Sequence, residues 1–118
     1  MLIRLMRKLS RRYVLKRKIM SLLFVMTITA AVLTIAHLIQ VGVWSLSYDA
    51  LGAVTVVADS YYLAFVNFTT LGYGDILPAP DWRLLGPITA ANGMLLFGWS
   101  TALMFAVLSR ATRLLQLS

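Results

Sequence analysis

Thr69-Thr70-Leu71-Gly72-Tyr73-Gly74-Asp75 stands between two apolar runs, Ile19–Leu46 and Leu84–Leu108, neither of which contains a charged residue. Each run exceeds the roughly 20 residues that carry a helix across a bilayer core. Glycine reaches positive φ without the steric cost that a Cβ imposes. Alternating glycines therefore permit a backbone whose dihedrals swing between left- and right-handed values, which turns successive carbonyls to one side. A row of carbonyls on one side can replace the water shell of a cation.

The rest of the composition agrees with a membrane setting. Apolar residues make up 60% of the 118 and charged residues only 13%. The net charge of +7 is unevenly placed: Arg4, Arg7, Lys8, Arg11, Arg12, Lys16, Arg17 and Lys18 precede the first run, and Arg110 and Arg113 follow the second. All four acids, Asp49, Asp59, Asp75 and Asp81, lie between the runs. Positive ends with an acidic middle place both termini in the cytoplasm and residues 47–83 outside. A basic run beside a span faces anionic lipid headgroups rather than nucleic acid. Without cysteine, no disulfide can be argued. The apolar run near the N-terminus is too long for a cleaved signal, so an uncleaved anchor is expected.

Taken in order, residues 1–18 read as a basic amphipathic helix, with Leu2, Leu5, Met6, Leu9 and Tyr13 recurring every three or four positions. It is expected to lie in the membrane interface and to anchor the topology, with a gate-coupling slide helix as the alternative. Residues 19–46 form the outer transmembrane helix. His37 and Gln40 share one of its faces, which points to a helix contact more than to a pH sensor. Residues 47–58 read as an external loop and 59–69 as a short helix with Asp59 or Ser60 at its N-cap. That helix is too short to span and is read as re-entrant, so the irregular stretch after it must be buried in protein or line a water-filled cavity. Its negative C-terminal end favours a cation at the membrane centre. Pro78 and Pro80 delay the inner helix, 82–108, which Asp81 is expected to cap; Trp82 suits the interface, and Pro87 is expected to bend the helix near its outer end. Residues 109–118 read as a short cytoplasmic tail.

The segment 70–75 in this context resembles the selectivity filter of potassium channels, and the order of elements over about residues 19–108 is similar to the two-transmembrane, pore-loop members of bacterial type. The resemblance implies an all-α membrane protein, assembled as a homotetramer in the bacterial inner membrane, with K⁺ as the permeant ion. Carbonyls of Thr70, Leu71, Gly72 and Tyr73, with the Thr70 hydroxyl, would ligate K⁺; Gly74 completes the motif, and the Tyr73 ring would brace the filter. Asp75 would contribute one carboxylate to a ring of four at the outer mouth.

Two departures from the family pattern stand out. Leu71 fills a position usually held by Val or Ile, which removes the stiffness of β-branching. Val66 stands where some bacterial members carry a glutamate, and Tyr62 is expected to supply the missing partner of Asp75 through its hydroxyl. The resemblance further implies a hinge at Gly93, with Gly98 allowing close packing. Met94, Phe97, Thr101 and Phe105 would face the pore, and Phe97 or Phe105 would form a hydrophobic gate; packing roles are the alternative for all four.

No helix with regularly spaced arginines is present, so voltage sensing of the usual kind is not expected. No nucleophile constellation, phosphate loop or transition-metal cluster is evident, and the chain reads as a non-enzyme. Two other readings remain: a subunit of a K⁺ uptake transporter, disfavoured by the single unit with a full motif, and a non-conducting membrane adaptor.

Overall fold

A computed structural model describes residues 1–117. Three α-helices account for most of them: α1 (Leu2–Leu51), α2 (Val57–Phe68) and α3 (Leu85–Leu114), with a short 3₁₀ turn at Pro80–Trp82 before α3. No strand occurs among the described residues. The segments Leu2–Leu51 and Pro80–Leu114 are long and apolar enough to cross a membrane, and the protein is an all-α membrane protein of this two-helix kind.

Several boundaries differ from those expected. The break at residues 18/19 is absent: 1–18 and 19–46 belong to one helix of 50 residues. The first glycine is Gly42 and no proline precedes Pro78, while Leu, Met, Arg and Lys are all good helix formers, so nothing interrupts the ladder. The helix runs past Leu46 and stops at Gly52, where φ is +65°. There Gly52 N–H bonds to Asp49 O at 3.1 Å and Ala53 N–H to Tyr48 O at 3.0 Å, the paired bonds of a Schellman ending. The loop expected over 47–58 is shorter as a result.

The expected caps are also displaced. Val56 occupies the N-cap of α2 without a side-chain bond, and Asp59 lies in the first turn, where a carboxylate favours the positive helix end. Ser60 is fully buried and donates to the Asp49 carboxylate on α1 instead of capping. Asp81 lies inside the 3₁₀ turn, two residues after Ala79, its N-cap. With α3 beginning at Leu85, Pro87 falls in the first turn. The missing N–H has no intrahelical partner there, so it breaks no bond and needs no bend. The helix persists to Leu114, so most of the expected tail is helical.

The chain divides into two compact units. One comprises Leu33–Thr101; the other comprises Met1–Val32 and the chain from Ala102 onward. In the first, Val41, Tyr48, Ala53, Leu63, Ala64 and Phe68 form a small buried core. A polar chain links its three helices. Asn67 Nδ2 of α2 donates to the Tyr48 hydroxyl of α1 at 3.2 Å, which lies 2.6 Å from the Thr89 hydroxyl of α3, which in turn donates to Leu85 O at 2.7 Å. Trp44 Nε1 adds a second α1–α3 bond, to Asn92 Oδ1 at 3.1 Å. Within a low-dielectric interior such bonds fix one arrangement of the helices, because an unpaired partner would be costly.

Candidate functional site

The segment 70–74 leaves the end of α2 with positive φ at every second residue: 62° at Thr70, 60° at Gly72 and 75° at Gly74. Gly72 and Gly74 adopt these values without strain. Thr70 does not, since a β-branched residue in the left-handed region is an outlier that costs on the order of 1–3 kcal/mol. Strain of this kind persists only where the surroundings over-determine the backbone.

Here the surroundings are the last carbonyls of α2. Thr69 N–H bonds to Phe65 O at 3.0 Å, Thr70 N–H to Asn67 O at 3.0 Å, and Leu71 N–H to Val66 O at 2.9 Å, with Gly72 N–H a longer 3.4 Å from the same oxygen. The Thr69 hydroxyl also donates to Phe65 O at 2.8 Å. Val66 is 5% exposed; its side chain cannot bond to the segment, but its carbonyl holds Leu71 and Gly72.

The Tyr62 hydroxyl donates to Asp75 Oδ2 at 2.8 Å, the pairing expected in place of the carboxylate missing at Val66. The bond to the Asp75 carboxylate, aided by slight desolvation and by the nearby negative charge, raises the Tyr62 pKa above its ordinary value. A cavity of about 300 Å³ lies along the same segment, lined among others by Val66, Asn67, Thr70, Gly72, Gly74 and Arg83. Leu71 and Tyr73 remain exposed in the single chain, Tyr73 at 69%.

The two α3 glycines differ in what surrounds them. Gly93, read as a hinge, lies within unbroken helix and is buried. A Cβ there would stand 1.9 Å from Phe68 O and 2.8 Å from Phe68 C, both backbone atoms. Gly98, read as the packing glycine, has no such neighbour within 4 Å. Gly93 is therefore the site of close approach, the seat on which the end of α2 rests.

The four pore-facing candidates also separate. Met94 and Phe105 are 60% and 69% exposed, and Thr101 is exposed with its hydroxyl bonded back to Phe97 O at 2.9 Å. Phe97 is packed on Phe68, edge-on at 5.4 Å, and on the His37 ring at 4.7 Å. His37 itself bridges α1 and α3: Nδ1 lies 3.0 Å from Gln40 Oε1 and Nε2 lies 2.9 Å from Ser100 Oγ. A neutral ring satisfies both bonds, with Nδ1–H donating to Gln40 and Ser100 donating to Nε2. Ser100 has no signal in the sequence beyond its helical register with Phe97.

An irregular carbonyl-bearing segment, a short helix supporting it and two long apolar helices define the pore-loop class of membrane channels. The chain belongs to this family of two-transmembrane, pore-loop ion channels: the family model described as "Ion channel" matches residues 21–110. No curated protein and no solved structure matches the chain.

Proposed function

We propose that the protein is a potassium-selective channel in which four identical chains surround one axis and each contributes residues 70–74 to a shared filter. The observation that carries this reading is the positive φ at Thr70, Gly72 and Gly74, because strict alternation of backbone hand turns consecutive carbonyls the same way. In the assembly, the carbonyls of Thr70, Leu71, Gly72 and Tyr73 and the Thr70 hydroxyl replace the hydration shell of K⁺, which passes down its electrochemical gradient. One chain provides one wall of such a site, and a closed cyclic assembly supplies the others. Asp75 stands at the extracellular mouth, where four carboxylates concentrate cations. Both termini are cytoplasmic, and the basic residues of α1 lie against anionic headgroups of a bacterial inner membrane.

Flux from liposomes containing the purified protein tests the proposal. K⁺ flux that exceeds Na⁺ flux, is blocked by Ba²⁺ and disappears in Gly72→Val supports it. Equal K⁺ and Na⁺ flux, or K⁺ flux that survives Gly72→Val, overturns it.

A further inference from the structure

In the unit formed by Met1–Val32 and the chain from Ala102 onward, two cavities of about 310 Å³ lie along α1. One is lined by Ser10, Arg11, Val14, Lys18 and the turn residues Gln116 and Leu117. The other is lined by Ser21 and Val25 of α1 and by Val107, Ala111 and Leu114 of α3, with Arg110 at its side. Residues 11, 14, 18, 21 and 25 are separated by three or four positions, so one face of α1 lines both cavities. The turn that closes α3 forms the facing wall of the first, and α3 itself that of the second. In the turn, Leu117 N–H bonds to Thr112 O at 2.8 Å and Gln116 N–H to Arg113 O at 3.1 Å.

The groove changes character along its length. Arg11 and Lys18 make one end cationic, and no Asp or Glu occurs in residues 1–32 or after residue 102 to neutralise them. Val25, Val107 and Leu114 make the other end mostly apolar, with Arg110 as its one charge. Lys18 directly precedes the uncharged run Ile19–Leu46, while Val25 lies within that run and Val107 within Leu84–Leu108, so the cationic end falls at headgroup depth and the apolar end at acyl depth. The gradient of the groove matches that of a phospholipid.

We infer that this groove is a binding site for one anionic phospholipid, its phosphate between Arg11 and Lys18 and its acyl chain against Val25, Val107 and Leu114. The lipid ties the cytoplasmic ends of α1 and α3 together. The inference rests on the membrane placement of the helices and not on potassium selectivity. It narrows the general attraction of a basic helix for anionic lipid to two named cations and an apolar companion surface.

Native mass spectrometry of the detergent-purified protein, titrated with phosphatidylglycerol or phosphatidylcholine, tests it without measuring flux. Phosphatidylglycerol binds at defined stoichiometry and more tightly than phosphatidylcholine. Arg11→Gln with Lys18→Gln weakens its Kd by about tenfold or more, each surface cation contributing on the order of 1 kcal/mol. Arg12→Gln with Lys16→Gln removes the same charge from other faces and has little effect. Val25→Trp, which fills the apolar end, also lowers occupancy, while soluble glycerol phosphate does not compete. Equal weakening by both charge pairs indicates diffuse attraction and overturns the site, as does unchanged occupancy in Val25→Trp. Competition by glycerol phosphate assigns an anion site without a lipid and overturns it equally. Failure of ion selectivity in liposomes, by contrast, leaves these lipid measurements intact.

Discussion

Gly93 on α3 lies so close to the Phe68 carbonyl at the end of α2 that a Cβ on the glycine would fall 1.9 Å from that oxygen. The neighbour is backbone, immediately before the segment that begins at Thr69, so it cannot rotate aside as a long side chain would. The contact sets the position of the α2 end on α3, and through it the position of Val66 O, which holds Leu71 and Gly72.

Gly93→Ala is accordingly expected to destabilise the protein, although alanine is the better helix former by up to about 1 kcal/mol. Overpacking typically costs about 1–3 kcal/mol, and here the overlap is with backbone. Gly98→Ala, which meets nothing of its own chain within 4 Å, keeps the propensity gain. Thermal unfolding of the detergent-solubilised protein should show a lower midpoint for Gly93→Ala and an unchanged or higher one for Gly98→Ala. A lower midpoint for both would point to flexibility, not close approach, as the requirement.

Gly72→Ala addresses the alternation of backbone hand. At φ of 60° an L-residue costs roughly 1–2 kcal/mol, and the nearest atom to an added Cβ is Thr70 O at 3.9 Å. Strain therefore acts without a clash. Ion flux in Gly72→Ala should fall, with K⁺ over Na⁺ discrimination falling alongside it, while the thermal midpoint moves far less than in Gly93→Ala. Intact discrimination would show that the segment tolerates a different backbone path.

The Tyr62–Asp75 bond gives a pH prediction whose sign follows from the raised Tyr62 pKa. The phenol must be protonated to donate, and its folded value lies above the ordinary 10.0. The stabilisation is thus complete below the ordinary value and is lost as pH rises through the raised one. Current decay in the parent should be slower than in Tyr62→Phe across neutral and mildly alkaline pH. The two should converge only once the pH has passed the raised Tyr62 value, which lies above 10.0. A difference that disappears near neutral pH would assign the bracing to another group.

Much of this arrangement could be read from the sequence, for physical reasons that differ by residue. The uncharged runs identify the two long helices because charge is costly in a bilayer. Gly72 and Gly74 mark left-handed positions because glycine adopts them freely, and the register between Tyr62 and Asp75 brings a donor to an acceptor. Thr70 was less legible: its positive φ is imposed by carbonyls of α2, and no local preference of threonine announces it. Which of Gly93 and Gly98 meets close backbone was not legible, because helix glycines look alike until the neighbouring backbone is placed. The helix ends were displaced where tertiary bonds took the expected caps, as when Ser60 turned to Asp49.

His37 offers the most direct test of how α1 and α3 are joined. Its ring nitrogens lie 3.0 Å from Gln40 Oε1 and 2.9 Å from Ser100 Oγ, and its ring centroid is 4.7 Å from that of Phe97, the two rings tilted by 58°. Removing either partner leaves a polar group without its bond, so single variants overstate the value of the pair. A double-mutant cycle with His37→Leu and Ser100→Ala separates the two effects. Interhelical hydrogen bonds in membranes are worth on average about 0.6 kcal/mol and at most about 1.7 kcal/mol, so a coupling energy in that range is expected from reversible unfolding in mixed micelles. Gln40→Leu should couple to His37→Leu as well, since the Nδ1 contact fixes the tautomer that lets Nε2 accept from Ser100. Coupling near zero for both pairs would mean that the Phe97 and Phe68 rings hold His37 by packing alone. Coupling for Ser100 but not for Gln40 would mean that the tautomer is set without help from α1.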